Sequence, residues 1–503
     1  MLANLKKTVK HSFIYSIGNA TNKLVGFVLI PLYTSSFSVA IYGLIALFDT
    51  VADFLLTFSS FGIMEALNRW YWDKKMEGKQ REMFFSVMIF TLVSSMLFIA
   101  LTGFLFRHFN QQIFGLPVSG RTLMFFLGSV FSNILLQRIL VLFRIQQKAI
   151  ENMVFNILRM LLVLGLTVYF IIGLQWGVDS VFASRLIGQV ITLLILVPKI
   201  LQNCEFKVNI TILKDMLLYS WPLALSASLG LIFTFSDRWM LQGMRNLDDV
   251  GNYSLAYRIS NIIRVIIVHS FAQAFIPIYF KKMESKKDYR FFSKAATYFS
   301  LLMVVTGMTI ILFSKEIIHF LARNADYYAS LDILPYLMLA VTFSGLLQVL
   351  VLPFNKYKKT KLISLIAILA GLLNIGLNLL LIPAWGGAGA AVATAITQFL
   401  MVVTYFILNK QIVDFDFEVT KIFLLFALGA FIAFIGLQMG DLVLWLRVPA
   451  KAVLLLVFPF CLKLLGFYED IELLRIRQSW KKWRNPARWK NNLKNMNSKG
   501  LGE

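Results

Sequence analysis

The chain has 503 residues, of which 58% are hydrophobic and 15% charged, and it carries a formal net charge of +23. Soluble domains average roughly 25% charged residues, so a water-soluble globular fold is excluded. Its two cysteines, Cys204 and Cys461, form no disulfide framework.

The sequence opens with Lys6, Lys7 and Lys10 and then enters an apolar run lacking a small-residue cleavage pattern, which reads as a retained first helix. Apolar runs of roughly 20 residues recur from there on, each long enough to cross the hydrocarbon core as a helix. They predict spans near 11–33, 39–61, 83–106, 121–143, 153–173, 178–198, 216–237 and 251–275. Six more follow near 292–314, 333–354, 362–383, 387–408, 420–439 and 443–465. Barrel strands would alternate over roughly 10 residues, which these continuous runs do not. The expected fold is an all-α polytopic membrane protein with about 14 transmembrane helices. Lys and Arg crowd the N-terminus, the even-numbered connections and the C-terminal tail, so the positive-inside rule places both termini in the cytoplasm. Because the basic excess sits in alternate loops, nucleic acid is not an expected partner.

An ionisable group near the bilayer centre costs at least about 2.5–3.5 kcal/mol, so it faces a cavity or a partner. Lys23, Arg138, Arg159, Arg185, Arg258 and Arg264 lie within or close to expected spans, whereas Lys463 sits near an end and snorkels. Asp49 and Asp53 lie in the second span, and Asp237 at the outer end of the seventh. At 100° per residue Arg258, Asn261, Arg264, His269 and Gln273 share a half-circle and are expected to line a cavity. The substrate-binding candidates are Arg159, Arg258, Arg264, Arg185, Lys23 and Asn261. Asp49 and Asp53, one turn apart, are candidates for coupling to a proton or sodium. The plainer reading, which we favour for them, is a structural ion pair with Lys23. Asp237 and Arg238 likewise read as structural, and Asn374 and Asn378 as bridges between helices. No cofactor and no resident metal is expected.

Two parts of the chain resemble each other at nearly constant offset. Tyr15-Ser16 recurs as Tyr219-Ser220, Tyr42 and Leu44 as Tyr253 and Leu255, Gly165-Leu166 as Gly376-Leu377, and Trp176-Gly177 as Trp385-Gly386, 204 to 211 residues apart. Six spans separate the copies, giving a parallel repeat whose site is expected near the midplane between two bundles. The expected division is one six-helix lobe over 1–198, a second over 199–408, helices thirteen and fourteen over 409–467, and a basic cytoplasmic tail over 468–503. In the tail, Leu473, Ile476, Trp480 and Trp483 recur at helical spacing among Arg475, Arg477, Lys481, Lys482 and Arg484, predicting a helix on the anionic membrane surface.

Specific motifs then suggest a family. Pro31 to Thr34, Tyr42-Gly43 and the stretch from Gly62 to Tyr71 stand in the first half. Tyr219 to Pro222, Ser236 to Trp239, Gly251 to Arg258, Asn374 to Pro383 and Gly386 to Ala391 stand in the second. Their order and spacing, from about residue 10 to 465, resemble the bacterial polysaccharide flippases. That group, which includes O-antigen flippases, belongs to the multidrug/oligosaccharidyl-lipid/polysaccharide exporter superfamily. One departure is Ser35, where many members carry a basic residue. The resemblance implies a two-lobed, fourteen-helix exporter in the inner cell membrane. Its implied cargo is a polyprenyl-diphosphate-linked oligosaccharide, moved from the cytoplasmic to the outer leaflet for surface polysaccharide synthesis. Expected partners are that substrate, membrane lipids, a coupling proton or sodium, and glycan-polymerase machinery.

The residues themselves leave two other classes to weigh. No G-x-x-x-x-G-K-[ST] motif supplies ATP hydrolysis. A membrane glycan polymerase needs a catalytic loop or constellation, yet the longest outward connection, 315–332, is too short for a catalytic domain. The chain is therefore expected not to be an enzyme. A cation-coupled multidrug exporter prefers acidic groups in its cavity, whereas a lipid diphosphate prefers the planar donor fork of arginine. The basic interior favours the flippase.

Overall fold

The computed structural model describes residues 26–285, 289–412 and 417–474. Lys23, most of the first expected span and the tail stripe from Ile476 onward lie outside the described residues. Among the described residues no strand occurs and the regular elements are helical. In chain order they are α1 (Ile30–Ser36), α2 (Val39–Phe58), α3 (Ile63–Trp70), α4 (Gln80–Phe114), α5 (Gly120–Ile145), α6 (Ala149–Val168), α7 (Asp179–Gln202) and α8 (Ile210–Met244). Then come α9 (Leu247–Ile263), α10 (His269–Ser285), α11 (Tyr289–Leu312), α12 (Ser314–Leu321), α13 (Ser330–Leu350), α14 (Leu352–Lys356), α15 (Thr360–Asn409), α16 (Val419–Gln438) and α17 (Leu444–Leu464). Twelve helical stretches among the described residues are long and apolar enough to cross a membrane, counting Thr360–Asn409 once. The shorter Gly26–Ser36 is the described end of the first expected span.

Several helices begin where the sequence supplies a side-chain acceptor for an otherwise orphaned amide. Ser119 accepts from the Thr122 amide at α5, Asn209 from Ile212 at α8 and Asn246 from Asp249 at α9. Helix α9 does not stop cleanly but passes through a π-helical turn, Arg264–Val268, into α10. The outward connection expected at 315–332 is not a bare loop, since it folds into α12 and a 3-10 turn, Ala325–Ala329. Large apolar side chains such as Leu97, Leu194 and Leu380 point outward from their helices, which suits a surface solvated by lipid.

The described residues within 1–296 and 314–416 form one compact unit, and those within 297–313 and 417–503 form another. In the first, α2 lies against α9 at a crossing that only glycine permits. A Cβ on Gly43 would strike the Leu247 carbonyl oxygen and the Gly251 amide nitrogen, and one on Gly251 would strike the Val39 carbonyl oxygen. The two backbones touch there, with the side chains six or seven residues on left facing each other. The expected spans at 362–383 and 387–408 are the two limbs of α15, broken at Gly386 in the left-handed region with φ 52°. A Cβ on Gly389 would meet the Leu381 carbonyl oxygen. In a straight helix those residues stand about 12 Å apart, so the chain folds back on itself there. In the second unit, Gly429 of α16 accommodates Val304, and Glu418 accepts from Thr297 Oγ1 at 2.7 Å and Lys421 Nζ at 3.0 Å.

Candidate arginine cavity

The close crossing of α2 and α9 determines what happens two turns further along each helix. Six residues after Gly43 comes Asp49, and seven after Gly251 comes Arg258, and the two side chains meet. Arg258 Nη2 donates to Asp49 Oδ2 at 2.9 Å, and Arg185 Nη1 of α7 donates to Asp49 Oδ1 at 2.6 Å. One carboxylate thus bridges two guanidinium groups. Each guanidinium also rests on a ring, Arg258 at 5.0 Å from the Tyr42 centroid and Arg185 at 5.7 Å from that of Phe182.

The bridge forms part of the wall of a cavity of about 470 Å³. Its other walls include Tyr33, Asp53, Asn133, Arg159, Gln189 and Asn261. Arg159 reaches in from α6, where Nη1 donates to Asn133 Oδ1 at 3.1 Å. Among the described residues no carboxylate pairs with Arg159. Arg159, Arg185, Arg258, Asn261, Asp49 and Asp53 all line this one cavity. Lys23 lies outside the described residues, and among the described residues Asp49 pairs with Arg185 and Arg258.

Arg264 does not join the group. The lining from α9 and the π-helical turn after it consists of Arg258, Asn261, Ile262, Val265 and Ile266. Asn261 and Ile262 of α9 lie at about −60° and +40° around Arg258 at 100° per residue, and Arg264, the first residue of the π-helical turn, is not among the lining. His269 and Gln273 of α10 are likewise not among the residues lining this cavity. Sequence reasoning misses Asn133 and Gln189. The available signal is local, since Gln189 follows Arg185 by one turn and neutral amides inside apolar spans seek a partner. On the opposite face of α2, Thr50, Val51 and Phe54 join Leu231, Phe235, Trp239 and Ile375 around an apolar crevice.

A second buried polar cluster surrounds Asp237, which lies inside α8 rather than at its outer end. Its carboxylate accepts from Tyr253 Oη at 2.5 Å, Asn378 Nδ2 at 2.8 Å and Thr394 Oγ1 at 3.3 Å. Arg238 turns instead to Ser254 Oγ, 3.3 Å away, and to the Tyr257 ring, 4.4 Å from its centroid. Asp237 thereby ties α8, α9 and both limbs of α15 together through neutral donors. Replacing it by Ala strands those donors, and a buried group left unsatisfied costs about 1–3 kcal/mol. The expected outcome is a lower thermal unfolding midpoint of the solubilised protein, read by intrinsic fluorescence.

A family model described as "Polysaccharide biosynthesis protein" matches residues 8–283, more than half of the chain. The chain belongs to this polysaccharide biosynthesis protein family. A second model, MatE, matches residues 222–380. Both are branches of the multidrug/oligosaccharidyl-lipid/polysaccharide exporter superfamily, so this family member is a multi-pass membrane transporter and not an enzyme. Capsular polysaccharide biosynthesis protein CapF of Staphylococcus aureus is 27% identical over 210 residues, 41% of this chain. The match spans 52% of CapF, about half its length. Among solved structures the fold is similar to lipid II flippase MurJ in an inward closed conformation, with TM-score 0.71 and 16% identity over 90% of this chain and 99% of that one. It is also similar to an inward-facing MATE family multidrug transporter, with TM-score 0.60 and 16% identity over 79% and 94%. At such identities the structural likeness establishes the fold alone.

Proposed function

We propose that the protein carries a polyprenyl-diphosphate-linked oligosaccharide from the cytoplasmic to the outer leaflet for surface polysaccharide synthesis, by alternating access around the arginine cavity. The observation that carries this reading is three guanidinium groups, Arg159, Arg185 and Arg258, in one cavity with two carboxylates. Planar donor forks suit phosphate oxygens, and an excess of positive charge in a low-dielectric site calls for an anion. Support also comes from the family and from the CapF relative, both of which are named for polysaccharide biosynthesis. MurJ, which shares the fold, is a flippase of lipid II. In a deletion strain the lipid-linked oligosaccharide is expected to accumulate in the inner leaflet, identifying substrate and direction together. Unchanged lipid-linked intermediates and normal surface glycan would remove the proposal. The MatE match favours a second reading, cation-coupled drug export with Asp49 and Asp53 as working residues. That reading predicts loss of dye efflux in the same strain.

The accompanying arrangement is fourteen helices, obtained by dividing α15 at Gly386 and adding the first span, in lobes over 1–198 and 199–408 with two further helices after them in the chain. Both termini are assigned to the cytoplasm. With Cys204 and Cys461 replaced by Ser, an impermeant maleimide added to intact cells should label Gln112→Cys and spare Lys79→Cys, both exposed positions. The opposite pattern reverses the orientation.

A further inference from the structure

Asp49 occupies the place that an anionic ligand of the arginines would take. Its two oxygens each accept from a different guanidinium, at 2.6 and 2.9 Å, and two oxygens on one centre are also what a phosphate group presents. The pairing crosses the molecule's sequence halves, from α2 to α7 on one side and to α9 on the other. It is also open to competition, since the Asp49 side chain remains 33% exposed, on the wall of the cavity.

We propose that Asp49 is a built-in counter-ion, holding Arg185 and Arg258 in the empty cavity and displaced from them when the anionic part of the substrate enters. This rests on the reading that an anion occupies the cavity and adds how its arrival is sensed. The charges make the exchange favourable. The cavity wall carries three guanidinium groups against two carboxylates, Asp49 and Asp53, and Arg159 meets only the neutral amide oxygen of Asn133 among the described residues. A diphosphate brings more charge and enough oxygens for all three. Arg159 is then the landing point and the Asp49 pairs are exchanged second. The rings of Tyr42 and Phe182 support Arg258 and Arg185 from the side, so both stay in position when the carboxylate leaves. Displacement also unfastens α2 from α9 next to their close crossing, which converts binding into freedom for the two helices to part. A ligand shifts a conformational equilibrium only through such a difference in contacts between states.

The test uses the purified full-length protein in nanodiscs, with farnesyl diphosphate as the probe, farnesol as its uncharged control and inorganic pyrophosphate as the tail-free control. Asp49→Asn removes the competing charge and is expected to bind farnesyl diphosphate about tenfold more tightly than the unmodified protein. Asp49→Glu, which keeps a competing carboxylate, should bind farnesyl diphosphate more weakly than the neutral variant. Farnesol affinity should be the same in all three. Asp49→Ser stands in for the Asn variant if the latter does not fold. Unchanged or weaker diphosphate binding in a folded neutral variant overturns the proposal while leaving the anion cavity intact. Failure of both neutral variants to fold, with Asp49→Glu folded, makes Asp49 a structural ion pair and overturns it as well. Absence of diphosphate binding in every form removes the anion cavity itself, and this inference with it.

Discussion

Arg258→Glu is expected to abolish export while the protein is still made and inserted. Arg258→Ala should lower export about 10- to 100-fold, because hydrogen bonds to charged groups contribute about 1.5–3 kcal/mol and each 1.4 kcal/mol is a factor of ten. Charge reversal is worse than truncation, since it leaves Asp49 facing a second carboxylate and repels the incoming anion. Arg258→Lys should restore only part of the activity, because it keeps the charge and loses the fork that reaches two oxygens at once. Arg159 and Arg185 should follow the same order. Arg264→Glu is the control, because its side chain falls outside the cavity lining, and near-normal export is expected there. The readout is surface glycan in a complemented deletion strain, with membrane protein levels measured alongside. Normal export from Arg258→Glu would make these arginines structural and bring drug export forward.

The contrast between Arg258 and Arg264 shows where sequence reasoning works in this protein and where it stops. Long apolar runs announce helices because each span must satisfy its own backbone in lipid, so the spans from the second onward are found close to where composition puts them. Intramembrane charge is equally visible, and Arg159, Arg185 and Arg258 stand out because a charge in an apolar run is costly. Which partner satisfies that charge is another matter. Asp49 meets Arg185 and Arg258, 136 and 209 residues further along the chain, and nothing local encodes those distances. A wide half-circle on a helical wheel admits Arg264, whereas the actual lining is narrower and centred on Arg258. Adjacency in sequence suggests Arg238 as the partner of Asp237, but consecutive residues on a helix point about 100° apart. The true partners of Asp237 lie on α9 and on both limbs of α15. The hairpin at Gly386 is legible for the opposite reason: a left-handed backbone and a tight return both demand glycine, and the sequence supplies three within four residues.

Gly43→Val and Gly251→Val are expected to cost more stability than any substitution in the cavity itself. At each position the first side-chain carbon would have to occupy the place of backbone atoms in the opposite helix. Flexible side chains can yield to an added methyl group, but two hydrogen-bonded helix backbones cannot move locally. Inserting atoms into a well-packed core commonly costs about 1–3 kcal/mol, and a collision with backbone belongs at or above the top of that range. The consequence reaches the site through geometry alone. Pushing α2 from α9 at the crossing draws Asp49 away from Arg258 two turns later, leaving a guanidinium without its counter-ion in a low-dielectric wall. Protein yield and thermal midpoint should therefore fall together with export. Gly230→Ala provides the reference, since a Cβ there meets nothing within 4 Å and an alanine is the better helix former. Its stability is expected to be unchanged or slightly raised. Should Gly43→Val and Gly251→Val keep the stability and export of Gly230→Ala, the helices do not cross where the structure has them, and the Asp49 bridge loses its foundation.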